Sequence, residues 1–207
     1  MARPAQADAA LTKQKVLSSA SALFAELGEG NTSMRAIAGG AGVSLGTVHH
    51  YFGSKAKLYD ACIDAMYGEL GSLWSELQNE IQNLDGVGAL VEHVIRRGFG
   101  FARRNHMAIR WVMREVVDHG EISLARREQF VDPFFTRITL AVGELLGRGS
   151  VETRLLCQSA VNLVVRYALS SERELEIVTG LQGEASMLAV ESHLVEVTRT
   201  LFEIKIN

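Results

Sequence analysis

Apolar residues recur three and four positions apart along almost the whole chain, and the two-residue alternation of a half-buried strand is hard to find. Val16, Ala20, Leu23, Phe24 and Leu27 make one face of a first helix, which Gly28 closes. Asn31-Thr32-Ser33 supplies the cap for a short helix over Met34–Gly39, broken by Gly40 and Gly42. Ser44 caps a third helix that ends near Tyr51, and Gly53-Ser54 reads as a turn followed by another cap. A long helix then carries Leu58, Cys62, Met66, Leu70 and Leu73 on one face. Gly68 and Gly71 weaken its far half, at about 1 kcal/mol each relative to alanine.

The pattern continues to the end of the chain. Asp85 opens a helix through Val91, Val94, Ile95 and Phe99 to about Arg104, and another runs from His106 to Asp118 and stops at Gly120. Ser123 starts the next. Asp132-Pro133 reads as a cap with proline in the first turn of a helix to Leu146. Ser150 starts a helix to Leu169, Ser171-Glu-Arg-Glu174 is a capping box, and a last helix covers about Glu184–Ile204. The expected fold class is all-α with about ten helices. The helix over 151–169 and the last helix are apolar over more surface than one core face requires. Either they pair with the same helices of a second copy, or they are the central helices of a monomer.

Composition narrows the function. The chain has 207 residues, 47% of them hydrophobic, which allows one large domain or two small ones. Cys62 and Cys157 are far apart and form neither a disulfide framework nor a zinc pattern. No secretion signal or span long enough for a bilayer is visible, so a soluble, cytoplasmic protein without a membrane partner is expected. The net charge of −3 is uneven, with an excess of basic residues in the first 60 and of acidic residues beyond. That asymmetry permits an anionic partner at one end. Nucleophile-elbow, P-loop and zinc signatures are missing, so no catalytic residue, cofactor or metal is assigned and an enzyme is not expected.

Residues Ser33–Tyr51 read as helix, tight glycine-containing turn, helix: a helix-turn-helix, whose second helix enters the DNA major groove. Thr32 and Ser33 would aim hydroxyls and helix N-terminal amides at a phosphate, with Arg35 beside them. Ser44 caps the reading helix, and Leu45, Gly46 and Thr47 are small enough at its start to approach base edges. Tyr51, Ser54 and Lys55 would flank it as phosphate anchors, and Lys13 and Lys15 lie near the start of the first helix. His49 and His50 point about 100° apart on a helix, which suits DNA contact better than joint metal binding.

The stretch "TSMRAIAGGAGVSLGTVHHYFGSKAKLY" resembles the DNA-binding signature of the TetR family of bacterial transcriptional regulators. Ile37-Ala38, Ala41-Gly42-Val43-Ser44, Gly46-Thr47, Tyr51-Phe52, Lys55 and Leu58 match it in register, and the resemblance covers about residues 10–60. It implies an N-terminal three-helix DNA-binding head over 1–53 and a larger C-terminal helical domain over 54–207. The implied protein is a homodimer that reads a pseudo-palindromic operator in double-stranded DNA, most often as a repressor. A small-molecule effector of unassigned identity would bind the body and release the DNA. Two departures stand out: His49 replaces an aromatic residue, often tyrosine, and Gly39-Gly40 replaces better helix formers, which implies a fraying helix. An architectural DNA-binding protein without effector is the alternative.

For the effector pocket the stretch over 103–120 is the first candidate, with His106, Met107, Arg110, Trp111 and Arg114. Phe99, Phe134, Asn162 and Arg166 join it from other helices. Each reads equally as ordinary packing or a solvated charge. Asn162 and Arg166 read also as partners in a subunit contact, and Glu115 with His119 makes a weaker metal pair.

Overall fold

The computed structural model describes residues 5–81 and 86–204. Among them there is no strand; the chain is all-α, as its periodicity predicts. The head contains α1 (Ala5–Asn31), α2 (Met34–Ala41) and α3 (Leu45–Phe52), and α4 (Lys55–Ile81) leads out of it. The body holds α5 (Gly86–Arg104), α6 (His106–His119), α7 (Leu124–Arg126), α8 (Asp132–Leu146), α9 (Ser150–Ala168), α10 (Glu172–Thr179) and α11 (Gly183–Leu201). The Asp85 cap expected for α5 lies outside the described residues.

Two hydrophobic cores organise these helices. The first joins Val16, Ala20 and Phe24 of α1 to Ile37, Ala38 and Val48 of α2 and α3, and continues along Leu58, Ile63, Met66 and Trp74 of α4 to Val112 of α6. The second gathers Val91, Ile95 and Phe99 of α5 with Cys157, Leu175, Val190 and Leu194 of α9–α11. Full burial of such side chains contributes about 1.5–3 kcal/mol each. The head therefore has no core separate from α4, whose first turns supply part of it. Burial also pushes the thiols of Cys62 and Cys157 up to about 11, so both stay protonated at neutral pH.

Two local expectations change. α2 does not stop at Gly40 but runs to Ala41. A Cβ on Gly40 would collide with the Ser19 hydroxyl, which donates to the Ile37 carbonyl at 3.0 Å. The glycine lets α1 and α2 approach closely rather than ending the helix. The real stop is Gly42, left-handed at φ 67°, whose N–H closes the last turn of α2. α4 runs as one long helix through Gly68 and Gly71, as its pattern predicts.

The second change is at Asp132-Pro133, which does not cap a new helix. α7 passes into α8 through a π-helical turn at Arg127–Val131, and Asp132 itself has helical dihedrals. A proline cannot donate to the carbonyl four residues back, and the wider turn absorbs that missing bond. The Asp132 carboxylate instead accepts from Arg127. α7 and α8 thus form one rod.

Replacing Gly42 by alanine puts a Cβ on a left-handed residue. The expected loss is about 1–2 kcal/mol of stability, read by denaturant unfolding, while Gly39→Ala, exposed with open space at its Cβ, should be neutral or stabilising.

Candidate DNA-binding site

Three helix N-termini in the head are closed by serines. The Ser33 hydroxyl accepts from the Ala36 amide at 3.1 Å, Ser44 from the Thr47 amide at 3.0 Å and Ser54 from the Lys57 amide at 3.2 Å. Each cap uses a lone pair of the hydroxyl. The protons of Ser33 and Ser54 stay free to donate to an outside acceptor, while the Ser44 and Thr47 hydroxyls share one at 2.8 Å. All three serines are exposed, and the helix dipoles add positive potential at the same points.

α3 is held by Val48, fully buried, and presents Gly46, His49 and His50 to solvent; Leu45 and Thr47 are half-buried. The His49 Nδ1 lies 2.7 Å from the Gly53 carbonyl. A carbonyl only accepts, so Nδ1 carries a proton toward it, which leaves Nε2 as the acceptor whenever the ring is in its neutral form. Tyr51 is half-buried, edge-on to His50, and the Lys13 ammonium of α1 sits 5.5 Å from its ring centroid. Lys13 and Tyr51 thus come together from two helices, cation over ring. Arg35 is exposed on α2. Lys15 lines an open groove of about 710 Å³ along the α1–α2 seam, with Ser19 and Gly40.

Two expected phosphate anchors are engaged elsewhere. Thr32 is buried, and its hydroxyl donates to the carbonyls of Gly28 at 2.8 Å and Leu23 at 3.1 Å. It closes the end of α1, where Gly28 kinks the chain at φ 75°, instead of facing outward. The Lys55 ammonium donates to the Glu29 carbonyl at 2.8 Å and the Thr32 carbonyl at 3.3 Å. The orphan carbonyls of a kinked helix end attract donors, and these two side chains are the nearest supply.

The residues expected around an effector are dispersed. Trp111 meets Tyr59 of α4 edge-on, and Phe134 meets Trp74 of α4 edge-on. Phe99 is buried in the second core. His106 and Met107 are half-buried near the start of α6, the His106 Nδ1 lying 3.0 Å from the Arg103 carbonyl. Arg110 is exposed, and Arg114 is exposed and paired with Asp118. Asn162 accepts from Gln158 on the outer face of α9, and Arg166 donates to the Ser170 hydroxyl. Glu115 faces Arg126 and the Ser123 amide rather than His119, and among the described residues no three potential ligands are grouped to hold a metal.

The link between head and body was not readable locally. Arg126, at 16% side-chain exposure, reaches Asp60 and Asp64 of α4 at 2.6 and 3.4 Å and Glu115 of α6 at 3.4 Å. Its partners on α4 lie more than sixty residues away in sequence. The i, i+4 carboxylates Asp60 and Asp64 were the only local hint, and they say nothing of their partner. The π turn that follows stacks Phe130 on Tyr67 with centroids 5.3 Å apart.

A capped, glycine-turned pair of helices with a small-residue reading face is the helix-turn-helix of a DNA-binding regulator. Residues 16–62 match the family described as bacterial regulatory proteins, tetR family. A nucleoid occlusion factor, SlmA, of Pasteurella multocida (strain Pm70) is 27% identical over 163 residues, 73% of this chain and 79% of its own length. In fold, the chain is similar to a TetR-family transcriptional regulator of Mesorhizobium loti MAFF303099. The TM-score is 0.69 at 15% identity, covering 95% of this chain and 97% of that one. It is also similar to the fatty acid degradation regulator FadR of Bacillus halodurans, with a TM-score of 0.61 at 16% identity, covering 88% and 94%. The protein is a DNA-binding transcriptional regulator.

Arg126→Met removes the cation that three carboxylates share and should lower stability by about 1–2 kcal/mol, since its acidic partners on α4 are half-exposed. The loss should shrink at high salt, measured by thermal unfolding at two ionic strengths.

Proposed function

We propose that the chain is an effector-responsive homodimer that reads a pseudo-palindromic operator and acts as a repressor. The observation that carries this reading is the continuity of α4, whose first turns pack in the head core and whose later turns pack against α6, the π turn and α8. A molecule that spreads α8 from α4 would tilt the head with it. Effector control then requires tighter binding to the tilted geometry, by the ratio of the two populations. The head is assigned to 1–53 and the effector and dimerisation body to 54–207, with α4 shared between their cores.

On the DNA side, Ser33, Arg35, Ser44, Tyr51 and Ser54, with Lys13, contact phosphates. Leu45, Gly46, Thr47, His49 and His50 face base edges. The neutral His49 Nε2 accepts, which fits the amino groups of adenine or cytosine. For the effector, the seam of α4 with α8 is favoured by the Trp74 indole N–H, buried with no acceptor beside Phe134. A mostly apolar molecule with one acceptor oxygen would answer it. Dimerisation is supported by Val151, Leu155 and Val161 on α9 and Leu188 on α11, apolar side chains 40–71% exposed on the helices expected to pair. A cytoplasmic location follows from the DNA target.

A second reading, DNA binding without an effector, is favoured by the SlmA relative, whose name is that of a nucleoid occlusion factor rather than of a promoter regulator.

Selection of bound duplexes from a random pool, with and without a metabolite library, tests both readings. The first expects paired half-sites about 34–36 Å apart, or a multiple, and loss of binding with some metabolite; the second expects no metabolite to release DNA. Arg35→Ala should weaken selected and random duplexes alike and make the salt dependence shallower by about 0.9 in log–log slope. A Leu155→Glu substitution should convert the dimer to monomer in sedimentation and abolish tight binding to paired half-sites while single-half-site binding survives.

A further inference from the structure

Lys55 is the first residue of α4, yet its charge is turned back toward the end of α1. Its ammonium bonds the Glu29 and Thr32 carbonyls, and the Thr32 hydroxyl bonds the Leu23 and Gly28 carbonyls. Four carbonyls at one corner are thus satisfied by two side chains. The Thr32 amide adds a bond to Glu29 at 3.3 Å, and the next residue, Ser33, is the cap of α2. The corner is therefore the direct mechanical entry to the reading unit. We propose that Lys55 is a positioning residue for DNA reading, tying the first turn of α4 to the α1–α2 corner so that α2 and α3 move with α4.

Two of the three N–H donors of the ammonium are spent on these carbonyls, so a direct phosphate anchor is left at most one donor unless the side chain leaves the corner. Drawing it out would strip a donor from both the Glu29 and Thr32 carbonyls, the second of them part-buried. The long, flexible side chain at the start of α4 thereby spans 26 and 23 residues of sequence to reach these carbonyls. It gives the body a second hold on the head, separate from the apolar packing of α4. The inference rests on DNA reading by α2 and α3, and its test separates the two.

Lys55→Met is compared with Lys55→Arg, which keeps charge and donors, in two measurements. In the first, without DNA, amide exchange at residues 32–36 should speed up several-fold in Lys55→Met and return towards wild type in Lys55→Arg. In the second, binding to a duplex selected by the wild-type chain should fall about tenfold in Lys55→Met. The salt slope should stay unchanged, binding to random duplex should be nearly unchanged, and Lys55→Arg should recover most of the loss. A slope shallower by about 0.9 with equal loss on both duplexes makes Lys55 a phosphate anchor and overturns the proposal. Faster exchange without loss of selectivity overturns it as well, as does unchanged exchange. If the wild-type chain itself selects no duplex, the sequence-reading premise has failed while the exchange result still stands on its own. Should Lys55→Met not fold, Lys55→Gln, which keeps a donor and loses the charge, carries the same comparison.

Discussion

Tyr59 is packed between Phe24 of α1 and Trp111 of α6, so one buried ring joins three helices. The residue belongs to α4, so one aromatic column ties the first helix of the head, the connecting helix and a helix of the body. Its ring is 7% exposed, and burial pushes its phenol up to about 12, so it stays neutral and apolar in character. Because the column runs through α4, head and body cannot shift independently of that helix. Arg126 and the Phe130–Tyr67 stack fasten the same helix further along, from the π-turn side.

The head itself is built with few residues to spare. Its helices α2 and α3 are two turns each, far too short to be stable alone. Serine caps, a left-handed glycine and the fully buried Ile37 and Val48 compensate for that shortness. The glycine at 40, which weakens helix propensity, sits where a Cβ would meet the Ser19 hydroxyl of α1, so an alanine there would force that side chain to turn away.

Charge is used sparingly. The chain is acidic overall, and much of the arginine of the body is consumed in ion pairs and carbonyl bonds, as at Arg96, Arg103, Arg126, Arg148 and Arg199. Positive potential available to DNA therefore comes from a few head cations and from three capped helix ends. Non-specific attraction to DNA is modest under these conditions, and geometry carries more of the recognition than net charge does.

The sequence by itself determined most of the helices, their caps and the helix-turn-helix with its family resemblance, because these depend on spacings of two to eight residues. Ser33, Ser44 and Gly42 stand where the pattern put them. It erred at Gly40 and at Asp132-Pro133, where a neighbouring helix and a π turn decide what glycine and proline do. It also could not tell an outward-facing polar side chain from one that serves its own backbone, which is how Thr32 and Lys55 came to be read as anchors. Only tertiary structure decided those two, along with the Tyr59 column and the Arg126 cluster. Their partners lie from four to more than sixty residues away, and a linear pattern holds no information on which orphan carbonyl or carboxylate a folded chain will bring within 3 Å.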